Sequence, residues 1–164
     1  MKNINATRLF FGVLLIAFSA RTLAAGLFGL QIGAPAEAFP DCDTTEAVAK
    51  TCLYKKSALP FRHIELRPGR LAYLRTNFMV QIEADKLASV QVETTGLVSQ
   101  DEIVRDLTAA FGKPTTLKYE LKQNAFGAQF KGIVATWLDK KNSAVVLFVG
   151  ADKQIDRGYI DYRH

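Results

Sequence analysis

Histidine and cysteine are scarce in this sequence, since each occurs twice in 164 residues. The histidines, His63 and His164, stand beside no serine or cysteine motif, whereas nucleophilic catalysis needs a nucleophile, a base and a group that orients the base. Zinc-ligand spacing and the ligand ladder of a calcium loop are also missing. We therefore predict no catalytic residue, no metal and no cofactor. A pair of carboxylates assembled by the fold stays open, because such pairing is spatial.

Long apolar runs are lacking as well, and a membrane-spanning helix needs about 20 apolar residues. The amino end carries Lys2 and Arg8, then the short apolar stretch Leu9–Phe18, then small residues around Arg21. This layout is typical of a cleavable secretory signal. We predict that residues 1–25 are the signal and that residues 26–164 form one domain, periplasmic or secreted.

Two alternatives to a cleaved signal are disfavoured. An uncleaved membrane anchor would need a longer apolar run, and Arg21 ends this one. Lipid attachment needs a cysteine at the new amino terminus, but cleavage after Ala24 or Ala25 exposes Ala25 or Gly26. The mature form is therefore not expected to span a membrane.

A strong charge of one sign is also missing once the leader is removed. The whole chain has 21 basic and 16 acidic residues, and three of the basic residues lie in the leader. The mature domain is then close to +2, too weak a field to favour nucleic acid as a partner.

The basic residues that remain are unevenly distributed. Between Lys50 and Arg75 the only acidic residue is Glu65, and aromatic residues are interleaved with the basic ones. Such asymmetry predicts a surface for an anionic partner, although a solvated loop with extended side chains is the plainer interpretation. The candidate residues are Lys55, Lys56, Arg62, Arg67, Arg70 and Arg75.

The two cysteines, Cys42 and Cys52, are close in sequence. In an oxidising compartment such a pair predicts a disulfide, with two buried free thiols as the alternative. A redox pair is disfavoured because its cysteines are usually separated by two residues. A capping pattern, Asp43–Glu46, also favours helix here, but a continuous helix would hold the cysteines about 15 Å apart, too far for a bridge. We favour the bridge, with a helical turn or two inside a folded-back loop.

Alternating apolar residues predict strands, and one segment predicts a helix. Ser99 and Glu102 form a capping box, Ile103 and Leu107 share one face, and Gly112 provides a stop. The predicted strands are 28–32, 63–66, 78–82, 90–92, 117–121, 130–138 and 144–149, with 159–162 at an edge. The predicted fold is α+β: an antiparallel sheet with one main helix packed on one face, plus a disulfide-closed N-terminal loop.

Two segments carry a resemblance. Residues 33–39 (GAPAEAF) follow a short strand, and residues 111–114 (FGKP) end the helix before a hairpin that contains Trp137. Over about half of the mature chain this resembles small exported bacterial α+β modules, the outer-membrane-assembly lipoprotein and β-lactamase-inhibitor-protein-like groups. The resemblance implies a protein-binding or scaffold role and carries over no functional residue. The sequence departs from the lipoproteins in lacking a lipidated cysteine and in having the early cysteine loop.

These observations favour a non-enzymatic periplasmic protein that binds another envelope component, either a protein or an anionic component, through its sheet face or the basic segment. The alternative is an inhibitor or immunity protein against a toxin or cell-wall hydrolase. Inhibitors of basic lysozymes are expected to be acidic, which disfavours that version. An enzyme with a spatially assembled carboxylate pair is the third hypothesis. The oligomeric state stays open.

Overall fold

The computed structural model describes residues 26–44, 51–56, 61–66 and 71–164. These residues form an antiparallel sheet with one α-helix packed on it, and a disulfide closes a loop near the start, so the predicted fold class is confirmed. The predicted export signal lies outside the described residues. Within the described segments, no helix is long and apolar enough to cross a membrane.

The described strands form one eight-stranded sheet in the order β1-β2-β3-β4-β8-β7-β6-β5. Every neighbouring pair is antiparallel. The strands are β1 (Cys52–Leu53), β2 (Phe61–Glu65), β3 (Leu74–Glu83), β4 (Lys86–Thr94), β5 (Thr116–Gln123), β6 (Gln129–Asp139), β7 (Ala144–Val149) and β8 (Gly158–Arg163).

The last strand, β8, is central, so its prediction as an edge strand was wrong. It pairs with β4 on one side and with β7 on the other, and it joins the β1–β4 block to the β5–β7 block. Ile160 and Tyr162 of this strand are fully buried. Short alternation along a strand indicates which face is apolar, but it does not indicate how many neighbours the strand has.

The helix, α1 (Gln100–Phe111), was predicted correctly, but its cap was not. Ile103 and Leu107 are buried, and Gly112 ends the helix with φ of 83°. Ser99 belongs to a 3-10 turn, Gly96–Ser99, and its hydroxyl makes a 2.6 Å hydrogen bond with the Thr95 hydroxyl instead of capping the helix. With ψ of 6°, Ser99 lacks the extended backbone that directs a capping hydroxyl at the helix amides.

The core lies between α1 and the sheet. Trp137, Phe148 and Tyr162 are its largest fully buried side chains on the sheet, and Ile103 and Leu107 meet this layer from the helix. Burial of such side chains is the main source of stability for a domain of this size.

The N-terminal segment contributes Leu27, Leu30 and Ile32 to the same core. It does not form the strand predicted at 28–32. Leu27 and Leu30 make only an isolated bridge, because Gly26, Phe28 and Gly29 all have positive φ and fold the chain into turns. Backbone hydrogen bonds between Gly33 or Ala34 and Leu87 then join this segment to the start of β4.

Candidate functional site

The disulfide joins Cys42 to Cys52 with a Cα–Cα distance of 5.0 Å, which confirms the predicted bridge. Cys52 lies on β1 opposite Glu65 of β2. Next to the bridge, the Cys42 amide donates to the Leu53 carbonyl and the Leu53 amide donates to the Pro40 carbonyl. Most of the predicted helical turns inside the loop fall on residues 45–50, outside the described residues.

The two sulfurs of this bridge and one nearby carboxylate form a group of the residue types that bind metals. Cys42, Cys52 and Glu65 offer ligand atoms within 4.8 Å of one another. Metals bind the thiolate form of cysteine, and two sulfurs joined to each other do not provide it. The cluster is therefore a disulfide with a carboxylate beside it.

Three residues of the predicted basic surface lie near β1 and β2. Lys55 and Lys56 form the turn after β1, and Lys56 makes a 2.8 Å ion pair with Asp43. The hydrogen bond to Asp43, helped by its charge, raises the pKa of Lys56. Arg62 lies opposite Val80 and so on the core side of β2, where its Nε is buried and has no hydrogen-bond partner among the residues that the structure describes.

Arg75 of β3 is engaged elsewhere. Its guanidinium donates to the backbone carbonyl of Asp156 at 2.8 Å and to the carboxylate of Asp156 at 2.9 Å. The remaining two candidates, Arg67 and Arg70, lie outside the described residues. The structure therefore gives the four described basic residues different surroundings, and the anionic-partner surface stays a prediction.

A different surface is not covered by any of the described residues. We define the open face as the side of β2, β3, β4 and β8 that points away from α1. Cross-strand partners lie on the same side of a sheet, so the register places one row on it. That row runs across the four strands as His63, Met79, Gln91 and Asp161.

The open face has two adjoining depressions of about 540 and 380 Å³. Both are lined by Met79 and Gln91 at the middle of the face. His63, Glu93 and Tyr159 line the larger one, whereas Phe61, Asp161 and Arg163 line the smaller one. Residues with acidic, basic, aromatic and amide side chains thus alternate over a shallow surface.

One end of the open face is bounded by the wall loop, residues 152–157, which connects β7 to β8. The Asp152 amide donates to the Arg157 carbonyl, and Arg75 binds Asp156. Gly96 lies against the loop so closely that an added Cβ would be 2.5 Å from the Ile155 carbonyl oxygen. Arg75 and Gly96 thus both contact the wall loop.

Tyr159 is the titratable group of the open face with a perturbed pKa. Partial burial raises the pKa of its hydroxyl, and the negative charges of Asp152 and Asp161 add to that shift. The raised pKa favours the protonated hydroxyl, which can donate a hydrogen bond to a bound partner.

The helix side has its own cleft of about 710 Å³, lined by Tyr73, Asp106 and Asp139 among others. Tyr73 donates to Asp106 at 3.1 Å, and Tyr162 donates to Asp139 at 2.6 Å. Burial alone raises the pKa of Asp139, but hydrogen bonds from Tyr162, Asn142 and backbone amides outweigh it and lower the pKa overall. A general acid for glycoside hydrolysis needs a raised pKa, so Asp139 does not fit that role. Its carboxylate instead accepts hydrogen bonds from Asn142 and Tyr162, which ties together the elements that carry them.

Comparison with protein-family models, with curated proteins and with solved structures finds no match for this chain.

The sheet face was predicted as a contact surface, but no residue was assigned to it. Phe61, Met79, Gln91, Glu93 and Tyr159 were not predicted as site residues. One indication was present: Met79 interrupts the otherwise polar side of the β3–β4 hairpin. An apolar side chain among polar ones on the wet side of a hairpin is a mark of a binding surface when its neighbours are aromatic.

Proposed function

We propose that this chain is an exported, non-enzymatic binding protein that holds another protein of the cell envelope on its open face. The observation that carries the proposal is the exposure of large apolar side chains there: Phe61 is 53% exposed and Met79 is 39% exposed. Both lie on the same side of neighbouring strands, since their partners in the register are Gln81 and His63.

The chemistry of the face favours a protein partner over a polyanion. Aromatic residues, methionine and arginine are enriched in protein interfaces, and a polar rim around them is usual. The acids Glu93 and Asp161 lie on the open face and would repel a polyanion. In addition, Lys56 and Arg75 of the predicted basic surface are already paired with acids.

The disulfide also supports the proposal. A disulfide between Cys42 and Cys52 fits an oxidising environment such as the periplasm or the cell exterior. Export places the chain among envelope proteins, which are the partners it then meets.

Site-specific photocrosslinking in living cells tests the contact surface. A photoreactive amino acid at Phe61 should give a discrete adduct with one protein, and the same residue at Val98 should not. Val98 is a matched control because it is 89% exposed but lies in the turn before α1. The additional change Met79→Lys should remove the adduct at Phe61 while circular dichroism stays unchanged.

The proposal fails if adducts form equally at Phe61 and Val98, or at neither. Loss of the adduct on Lys55→Glu/Lys56→Glu, with Met79→Lys silent, would point instead to an anionic partner of the basic segment.

The second candidate function, an inhibitor of a toxin or wall hydrolase, is favoured by the β5–β6 hairpin tip. Phe126 at this tip is 97% exposed. The Asn124 side chain accepts hydrogen bonds from the Phe126 and Ala128 amides at 3.0 and 2.9 Å, which fixes the tip. A rigid tip with one bare aromatic residue fits insertion into an enzyme cleft, since little entropy is lost on binding.

Assays against a panel of wall hydrolases separate the two functions. Inhibition that is lost with Phe126→Ala and kept with Phe61→Ala would establish the inhibitor. If none of the hydrolases is inhibited, the binding function is favoured over the inhibitor function.

A further inference from the structure

The strand β5 ends the sheet in the part of the chain that the structure describes, with β6 as its neighbour on one side. One face of β5 carries Leu117, Tyr119 and Leu121, which are 41%, 56% and 70% exposed. Their register partners include Ala135 and Ile133 in the core layer, so these three residues lie on the helix side of the sheet beyond the area that α1 covers. An edge strand with a bare apolar row is a template for pairing with another strand.

The main-chain amides and carbonyls of β5 that do not bond to β6 belong to the residues of this apolar row. The Asn124 amide donates to the Ala128 carbonyl just beyond the paired stretch, where these residues stand opposite each other. Hydrogen-bonded and non-hydrogen-bonded pairs alternate in an antiparallel ladder, so the even-numbered residues of β5 bond to β6. The amides and carbonyls of Leu117, Tyr119 and Leu121 therefore point outward.

We propose that the chain forms a symmetric dimer in which β5 pairs antiparallel with β5 of a second copy, with Tyr119 facing Tyr119. In this register Leu117 of each copy faces Leu121 of the other, and the apolar rows match along their length. The outward groups of these three residues would form about six main-chain hydrogen bonds. A shared twofold axis through Tyr119 closes the assembly at two copies.

Charge complementarity selects the second copy as the occupant. The other face of β5 carries Lys118, Glu120 and Lys122. With Tyr119 on the axis, Lys118 faces Glu120 of the second copy, and symmetry provides the pair twice. These positions are non-hydrogen-bonded pairs, where side chains approach most closely.

Other registers lose this match. A shift by two residues in one direction places Glu120 opposite Glu120 and Lys118 opposite Lys122. A shift by two in the other direction places Lys118 opposite Lys118. Like charges directly opposite each other are destabilising, so both shifts are disfavoured. Lysines on an edge strand ordinarily discourage pairing. Here Glu120 lies between them, 3.9 Å from Lys122 of its own chain, and in the proposed register it also faces Lys118 of the second copy.

Charge-exchange variants of the oxidised, purified chain test the register by analytical ultracentrifugation. The unmodified chain should sediment with twice the mass of one copy. Either Lys118→Glu or Glu120→Lys should raise the dimer dissociation constant about tenfold or more, because both symmetric pairs become repulsive. The double variant Lys118→Glu/Glu120→Lys should restore it. Lys140→Glu, an exposed charge reversal in the β6–β7 turn, is the matched control and should leave the dissociation constant unchanged.

Disulfide trapping tests the axis independently of stability. Under mild oxidation Tyr119→Cys should crosslink two copies, because residues on the axis face themselves within bridging distance. Leu117→Cys and Leu121→Cys should not crosslink singly, whereas their combination should.

A chain that stays monomeric at every accessible concentration overturns the proposal, as does a dimer indifferent to the charge variants or equal trapping at Tyr119 and Leu117. The inference goes beyond the proposed function. If the dimer proposal fails, the proposed binding function of the open face is not affected, because Phe61 and Met79 lie on the opposite half of the sheet.

Discussion

Tyr162 donates a 2.6 Å hydrogen bond from its buried hydroxyl to the carboxylate of Asp139. The Asn142 side chain donates to the same carboxylate oxygen at 2.7 Å, and Gln31 donates to Asn142 at 2.7 Å. This network joins β8, the β6–β7 turn and the N-terminal segment. Networks of buried polar groups that are fully bonded specify one arrangement of the elements that supply them.

Removing the Tyr162 hydroxyl should weaken the fold. Tyr162→Phe leaves the Asp139 carboxylate short of one donor, and a buried acceptor without its partner costs about 1–3 kcal/mol. Urea unfolding should show that decrease in the free energy of unfolding. Val98→Ala is the control, because Val98 is 89% exposed and its truncation should change the value by less than about 0.5 kcal/mol. Equal effects for the two variants would contradict the network.

The same network predicts a dependence of stability on pH. The pKa of Asp139 is lowered in the folded state, since the hydrogen bonds to its carboxylate outweigh the effect of burial. Its contribution is fully present above the unfolded-state pKa of about 3.9 and is lost as the pH falls through the folded-state value. The stability difference between the unmodified chain and Asp139→Asn should therefore shrink on acidification from about pH 6 to about pH 2. A constant difference over that range would contradict the prediction.

Removal of the disulfide should lower stability by about 3 kcal/mol, since it closes a loop of about ten residues in the unfolded chain. The double variant Cys42→Ser/Cys52→Ser should show this loss in urea unfolding under oxidising conditions. Adding reductant should lower the stability of the unmodified chain to a similar value and leave the double variant unchanged. No effect of reductant on either protein would be inconsistent with the observed bridge.

Two glycines with positive φ provide a matched pair for backbone packing. An added Cβ at Gly96 would meet the backbone of residues 155–157 at 2.5 Å, whereas at Gly112 it would meet no described atom within 4 Å. Gly112→Ala should cost about 2 kcal/mol through backbone strain alone, because φ of 83° with ψ of −163° is a conformation that essentially only glycine adopts. Gly96→Ala should cost more, because the wall loop must also move. Thermal denaturation measures the loss of stability of each variant. Equal losses would mean that the wall loop moves away from an added Cβ without cost.

The predicted leader is tested by the amino terminus of the mature chain. Chain recovered from an envelope fraction should begin at Ala25 or Gly26, with Cys42 and Cys52 oxidised. Mass spectrometry with and without a thiol label measures both properties. Material that begins at Met1 with two free thiols would contradict export and the proposed partners together.

Local patterns predicted the elements whose determinants are close together in the chain. Ile103, Leu107 and Gly112 specify a helix and its end within three turns, and the spacing of Cys42 and Cys52 predicted a bridge. The β3–β4 hairpin was predicted because its alternation and turn are contiguous. In each case the interacting residues are close enough in sequence for their pattern to be recognised directly.

Features that depend on distant residues were not predictable in this way. The position of β8 depends on partners in β4 and β7, and the wall of the open face depends on Arg75 and Asp156, which are 81 residues apart. Alternation in β3 and β4 identified a polar side but did not indicate that no other described element covers it. The turns at residues 26–29 were missed because Phe28 adopts a positive φ that its residue type does not favour.

The position of β8 also determines when the sheet can close during synthesis. Every other strand in the described residues precedes β8, yet β8 bridges the two halves of the sheet. Until β8 emerges from the ribosome, β4 and β7 lack their shared neighbour, and Ile160 and Tyr162 are missing from the centre of the core. Late pairing between distant segments slows folding. A chain that crosses a membrane amino end first would thus remain unfolded during translocation. It would complete its sheet only after β8 has also crossed.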